Sequence, residues 1–223
     1  MFSHVILNKF KVQKNYNVIP FGHRCTSAIS CRYARLRKFA LPFDWTTPTF
    51  PNKIQKVLEN DFNEYIPVDI VENKNFTNKY DIKLMYFNEN IKEGILDYTR
   101  RIERFREIMN NNNHKYFVYI NEDYLYDPLY RKIKFSNKIF LEMLELELFL
   151  MKKYPNMKFN ILYFDFVKYT IPAYSNIIMI KLTTREVYNN GMNTPFELLR
   201  YYCGDILCNF FNTEPDLNIR NNL

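Results

Sequence analysis

The stretch Val18-Ile19-Pro20-Phe21-Gly22-His23-Arg24-Cys25 reads as a short apolar strand that stops at a glycine and leads directly into a helix. We predict the strand over residues 17–21 and the helix over residues 25–38, which places Cys25 at the helix N-terminus. Gly22 permits a sharp turn between the two elements, and such a turn leaves backbone amides free to bind an oxyanion or a phosphate. The same alternation of strand and helix continues along the chain.

Apolar periodicity defines the other elements. Further helices are predicted at residues 51–63, 91–109, 137–154 and 194–211, the last capped by Thr194, and strands at residues 82–87, 116–120, 159–164 and 177–182. Near-continuous apolar strands separated by helices are typical of a parallel sheet that is covered on both faces. We therefore predict a single α/β domain over residues 1–223, a three-layer sandwich with a mainly parallel central sheet flanked by helices.

A cysteine at the start of a helix is a candidate nucleophile. The unpaired amides there carry about half a positive charge, which favours the thiolate and lowers a cysteine pKa from about 8.5 by roughly one unit or more. His23 and Arg24 add positive potential beside Cys25. The alternative interpretation, which the sequence supports equally, is that Cys25 is a small buried apolar residue in the first helical turn.

A second cluster, Leu41-Pro42-Phe43-Asp44-Trp45, follows within one helix length and contains the only tryptophan. We expect it to pack beside the turn that carries Cys25, with its aromatic residues anchored in the core. Asp44 would then lie near Cys25, where it could orient His23 or a substrate amine. Alternatively, Asp44 caps a turn and the aromatic residues are ordinary core.

Acidic residues follow the middle strands of the predicted sheet. Open parallel sheets place their sites at the carboxyl ends of the strands, and the loops there begin with Glu122, Asp123 and Asp165. Each of these carboxylates could orient a base or accept a proton, or equally cap a helix or form a turn.

A basic group lies on the predicted helix at residues 91–109. Arg100, Arg101 and Arg104 could bind a phosphate or carboxylate in the bidentate manner of guanidinium groups. They could also form a solvated helix face, since Asp97 is placed to pair with Arg101 at a spacing of i,i+4. With the turn and the tryptophan, the ligand-binding candidates are Gly22, Arg24, Trp45, Arg100, Arg101 and Arg104.

Composition argues against several classes of protein. The net charge of +7 permits contact with nucleic acid, but no glycine-aromatic RNA signature accompanies the basic groups, so we do not expect a nucleic-acid partner. Four glycines allow neither a dinucleotide fingerprint nor a P-loop. The four cysteines are too sparse for a disulfide scaffold and poorly spaced for zinc. We therefore expect no cofactor and no metal.

Two segments bear on the question of membrane or secretory character. The apolar run at residues 139–151 is interrupted by Glu142, Glu145 and Glu147, which predicts an amphipathic helix and no membrane contact. The first residues carry lysines without an apolar core and cleavage site, so we predict no secretory signal and a cytoplasmic protein. The abundance of Asn, Lys, Ile, Tyr and Phe is typical of an A+T-rich genome.

Three ordered blocks together resemble a known family. They are Gly22-x-x-Cys25 after a strand, Leu41-Pro42-Phe43-Asp44-Trp45, and Tyr98-x-Arg100-Arg101-Ile102-x-Arg104-Phe105 before an apolar strand. From residue 18 to the last helix, the chain is similar to the papain-like cysteine peptidase family, a domain of unknown function in bacteria and large DNA viruses, and to its viral branch in particular. The resemblance implies a viral thiol hydrolase with Cys25 as its nucleophile.

A thiol hydrolase also needs a base and a group that orients the base. The chain has three histidines, of which His23 lies two residues from Cys25 and His114 is expected at the opposite end of the sheet. The leading hypothesis is a peptidase-like hydrolase that uses Cys25, His23 and Asp44 on a peptide or other acyl bond. The alternatives are a non-catalytic module for an anionic ligand, such as a sugar nucleotide or phosphate, and a structural or host-interaction viral protein. The sequence leaves the oligomeric state open.

Overall fold

The structure is a computed structural model that describes residues 10–67, 76–85, 87–88, 90–122, 133–182 and 195–221. Outside these ranges lie the third histidine, His4, the acidic candidate Asp123 and the predicted helix cap Thr194.

A four-stranded parallel sheet forms the centre of the described structure. Its strands lie in the order β1 (Tyr16–Pro20), β4 (His114–Ile120), β5 (Phe159–Asp165) and β6 (Ile177–Lys181). The register places Tyr16 beside His114 and Asp165 beside Lys181. We call the side where these strands begin the amino edge, and the side where they end the carboxyl edge.

Helices cover both faces of this sheet. They are α1 (Thr26–Tyr33), α2 (Pro51–Glu59), α3 (Ile91–Asn110), α4 (Ile133–Lys153), α5 (Pro195–Phe211) and α6 (Leu217–Asn221). One core joins α2, α3 and α4 to alternate strand residues such as Phe117, and the other joins α1 and α5 to the intervening residues such as Val118. The side chains alternate because successive strand residues point to opposite faces. The predicted three-layer α/β sandwich is confirmed.

Two helices end earlier than the sequence predicts. The helix predicted over residues 25–38 is α1, which ends at Tyr33, and Arg35 then takes a positive φ of 56°. The helix predicted over residues 51–63 is α2, which ends at Glu59 before Asp61 and Phe62 take φ values of 47° and 62°. Residues other than glycine seldom adopt this left-handed region, so a glycine is the usual signal for it. Neither helix end has a glycine, and nothing in the local sequence therefore indicates where either helix stops.

The Leu41–Trp45 cluster leads into a small antiparallel pair. Strand β2 (Thr46–Thr47) pairs with β3 (Lys83–Leu84), so the strand predicted at residues 82–87 is reduced to two residues and β2 was not predicted. The amide of Met85 donates to the Trp45 carbonyl at 2.8 Å. The rings of Phe21 and Phe43 pack edge to face with their centroids 5.6 Å apart. The predicted packing of this cluster beside the Cys25 turn is therefore confirmed.

Candidate functional site

The turn after β1 delivers Cys25 to the carboxyl edge of the sheet. Cys25 immediately precedes α1 and already has helical backbone angles, φ −63° and ψ −17°. Its carbonyl accepts the first helical hydrogen bond, from the Ile29 amide at 2.9 Å. The Cys25 side chain is half-buried, so the thiol is neither sealed in the core nor freely exposed.

Gly22 is required in this turn because of space. A Cβ atom at this position would lie 2.5 Å from Ser27 Oγ and 2.6 Å from the Arg24 carbonyl oxygen. None of the described glycines has a positive φ, so the close approach, and not left-handed backbone, explains the glycine. Ser27 Oγ in turn accepts a hydrogen bond from the Ile120 amide at 3.1 Å, which fixes the turn against the end of β4.

Glu122 follows β4 and places a carboxylate against the start of α1. Its side chain is 1% exposed, and Oε2 accepts a hydrogen bond from Thr26 Oγ1 at 2.6 Å. The other oxygen, Oε1, is buried and has no hydrogen-bond partner among the described residues. Burial raises the pKa of Glu122, and the Thr26 hydrogen bond and the electrostatic interactions with His23, Arg24 and Arg200 oppose this rise.

The electrostatics of Cys25 differ from the sequence expectation. Burial raises the pKa of the Cys25 thiol, and the negative charge of Glu122 raises it further. Arg200 and Arg24 act in the opposite direction but do not outweigh these two causes. Burial of the thiol and the charge of Glu122, neither of which the local sequence reveals, therefore account for the departure from the expected lowering of the Cys25 pKa.

His23 lies within electrostatic range of Glu122, whose pKa it lowers. The His23 side chain is 1% exposed, and its ring packs against Phe50 with the ring centroids 4.6 Å apart. Its backbone carbonyl accepts a hydrogen bond from the Thr49 amide at 2.8 Å. The imidazole is therefore held inside the turn and does not face solvent.

Asp44 is fully buried but serves a different neighbour from the one predicted. Its Oδ2 accepts hydrogen bonds from Arg37 Nε at 2.6 Å and from the Leu41 amide at 2.9 Å. Burial raises the pKa of Asp44, and the Arg37 guanidinium opposes the rise. The Arg37 guanidinium also lies 5.4 Å from the ring centre of half-buried Trp45. These contacts make Asp44 the anchor of its own loop, and Glu122 is the carboxylate that the structure brings to Cys25 and His23.

The three arginines of α3 have different neighbours. Arg101 is buried, forms an ion pair with Asp97, and stacks over the Tyr98 ring at 4.5 Å. Arg100 is exposed and lies 3.8 Å from the same Asp97 carboxylate. Arg104 lies over the Phe39 ring at 5.7 Å. The i,i+4 pair expected between Asp97 and Arg101 is confirmed, and the exposed Arg100 shares the same carboxylate at a longer distance.

One residue of this site was among the sequence candidates, and another was missed. Glu122 was one of three acidic candidates that the strand ends could not separate; of the others, Asp165 accepts hydrogen bonds from Asn121, Tyr163 and the Val167 amide and so closes a structural network. Arg200 was missed because it lies on α5, far from Cys25 in the chain. No short-range sequence signal marks Arg200, because only the packing of α5 against α1 brings it near Cys25. At this contact Ser30 Oγ donates a hydrogen bond to the Arg200 carbonyl at 2.8 Å.

Other kinds of site find no support in the part of the chain that the structure describes. There, no group of three or more His, Cys, Asp or Glu side chains is arranged to hold a metal ion. Among the same residues, no helix combines the length and apolar character needed to cross a membrane. Comparison of the whole chain with protein families, curated proteins and solved structures finds no match.

Proposed function

We propose that this protein is a thiol-dependent hydrolase in which Cys25 attacks an acyl group. The observation that supports this proposal best is the buried Glu122 carboxylate, which has one oxygen without a hydrogen-bond partner among the described residues and interacts electrostatically with both Cys25 and His23. A thiol, an imidazole and a carboxylate are the three groups that nucleophilic thiol catalysis requires.

Each group has a role in the proposed reaction. His23 takes the proton of the Cys25 thiol while the sulfur attacks the acyl carbon, and it then gives this proton to the leaving amine or alcohol as that bond breaks. Water attacks the resulting thioester, which releases the acid and restores the thiol. Glu122 stabilises the positive charge that forms on the imidazole, the part that the sequence assigned to Asp44.

The raised pKa of Cys25 constrains the order of these events. At neutral pH the resting enzyme holds a thiol, because burial and the Glu122 charge both disfavour a second negative charge. Proton transfer to His23 therefore accompanies the attack on the substrate and does not precede it. The pH dependence of alkylation by iodoacetamide should accordingly have its midpoint above the usual range for a free cysteine.

The binding alternative has less support at this site. An anionic ligand at the start of α1 would meet the Glu122 carboxylate, which already accepts the Thr26 hydrogen bond there. Of the predicted arginines on α3, buried Arg101 pairs with Asp97, and this one carboxylate leaves the charges of Arg100 and Arg104 in excess. The viral origin, the cytoplasmic location and a structural or host-interaction role remain predictions from the sequence.

Hydrolysis of para-nitrophenyl acetate by the full chain tests the proposal. We expect nitrophenolate release with turnover, an acetyl group on Cys25 by mass spectrometry, and loss of turnover in Cys25→Ser. The His23→Gln variant should lose about 100-fold or more in rate. Cys208→Ser is the matched control, because Cys208 is another free cysteine and lies away from the site, on α5. Equal turnover by wild type and Cys25→Ser, or acetylation of Cys25 without turnover, would contradict the proposal.

A further inference from the structure

A cavity of about 830 Å³ opens at the amino edge of the main sheet, on the opposite side from Cys25. It lies where β1, β4 and β5 begin, and all its lining residues belong to the described part of the chain. Its volume falls within the range of roughly 300–1,000 Å³ that small-molecule sites occupy. Nothing in the proposed hydrolase chemistry uses this cavity.

Half of the residues that line the cavity carry side-chain amides. They are Gln13, Asn15, Asn112, Asn160 and Asn176. Asn160 is held in one orientation, because its Nδ2 donates to the Asn176 carbonyl at 3.1 Å and its Oδ1 lies 2.9 Å from His114 Nε2. A primary amide offers both a donor and an acceptor, which is the combination that binds hydroxyl groups.

The charge of the cavity is positive. Lys14 and Lys158 line it, both are exposed, and neither forms an ion pair with a described residue. No acidic residue lines the cavity, and the nearby Glu147 carboxylate is engaged by Ser175 Oγ and the Asn176 amide. Burial lowers the pKa of His114, the Asn160 hydrogen bond opposes this effect, and the charges of Lys115 and Lys158 lower the pKa further, in keeping with the positive charge of the lining.

Two apolar side chains complete the lining. Phe159 is almost fully buried and Met157 is half-buried, and both belong to the segment that opens β5. The cavity therefore offers three kinds of contact to a ligand. They are amides that bind hydroxyl groups, an apolar surface for C–H groups, and two cations that no described carboxylate pairs. A sugar carries the hydroxyl and C–H groups, and a phosphate monoester supplies the negative charge that lysine ammonium groups bind.

We propose that the cavity at the amino edge binds a phosphorylated sugar, with the phosphate at Lys14 and Lys158 and the hydroxyl groups at the amide side chains. Both parts of the ligand are needed: the lysines provide the attraction, and the amides around Asn160 distinguish a sugar from a bare anion.

Titration of the full chain with glucose 6-phosphate, followed by calorimetry and by the NMR signals of the His114 ring, tests this proposal. We expect saturable binding that is tighter than the binding of glucose or inorganic phosphate, and an upward shift of the His114 pKa on binding, because the phosphate introduces negative charge beside the imidazole. The Lys14→Gln/Lys158→Gln variant should bind about tenfold more weakly or worse.

Matched variants separate the parts of this proposal. Lys152→Gln is the charge control, since Lys152 is an exposed lysine on α4 that does not line the cavity, and it should leave binding unchanged. Asn160→Leu should reduce the preference for the sugar phosphate over inorganic phosphate. Equal affinity for inorganic phosphate and glucose 6-phosphate would overturn the sugar assignment. Binding that survives loss of both lysines, or no saturable binding at all, would overturn the site.

Discussion

The ionisable groups Glu122 and His114, at opposite edges of the main sheet, are buried to different depths. At the carboxyl edge Glu122 is 1% exposed, and at the amino edge the His114 ring is only half-buried. Burial moves both residues towards their neutral forms, since it raises the pKa of the acid and lowers the pKa of the base. The same physical effect therefore acts at both edges, on a fully buried carboxyl group beside α1 and on an imidazole that the open cavity leaves half-exposed.

The largest effect is expected from Gly22→Ala at the carboxyl edge. The new Cβ would press against the Arg24 backbone oxygen and against Ser27, which holds the end of β4. We expect a loss of about 3 kcal/mol in the free energy of unfolding, measured by urea denaturation. Glu103→Ala is the control, because Glu103 is exposed on α3 and its truncation should cost less than about 0.5 kcal/mol. An equal cost for the two variants would show that the Cys25 turn is not tightly constrained.

Glu122→Gln should stabilise the protein at neutral pH. Because the folded pKa of Glu122 is raised above the unfolded value of about 4.5, its contribution to stability is fully present below that value and is lost as the pH rises through the folded pKa. The variant should gain about 1 kcal/mol at pH 7 and nothing near pH 4, measured by urea denaturation at each pH. Glu145→Gln, on the exposed side of α4, should show no such gain. A wild type that is the more stable protein at pH 7 would contradict the raised pKa.

The elements that burial alone specifies were predictable, whereas the polar partners were not. The four strands of the main sheet and helix α3 follow from apolar periodicity, and each was predicted to within a few residues. Helix α4 shows the limit of this reasoning, because its pattern predicts solvated glutamates. In the structure Glu147 is buried, where Ser175 and the Asn176 amide satisfy it, while Leu141 and Leu148 remain 58% and 57% exposed.

The candidate site also combines features that the sequence predicts with features that it does not. The strand, the turn and the helix that carry Cys25 were predictable because they are local in the chain. Its electrostatics were not predictable, because they depend on groups that packing brings from far away, namely Glu122 from the end of β4 and Arg200 from α5. The prediction assigned the Asp44 carboxylate to His23. In the structure this carboxylate accepts a hydrogen bond from Arg37, which is a near neighbour in sequence.

Arg200→Gln is expected to change the reactivity of Cys25 without changing the turn. The Arg200 charge lowers the pKa of both Cys25 and Glu122, so its removal should raise both. We expect alkylation by iodoacetamide at pH 8 to slow severalfold relative to wild type. Arg24→Gln should have a smaller effect, because Arg24 opposes the raised Cys25 pKa less than Arg200 does. Faster alkylation of Arg200→Gln would mean that the thiol does not sense this charge.

The smallest effect is expected from His114→Asn at the amino edge. The folded pKa of His114 is lowered, so its contribution to stability is present above the unfolded value of about 6.5 and is lost as the pH falls through the folded pKa. This loss opposes the gain from Glu122 over the same pH range, so the measurement is cleanest in the Glu122→Gln background. Between pH 7 and pH 5, His114→Asn should remove less than about 0.5 kcal/mol of pH-dependent stability, because solvent screens the half-exposed imidazole. A change as large as that of Glu122→Gln would show that the two edges are equally buried in solution, and the contrast between them would then fail.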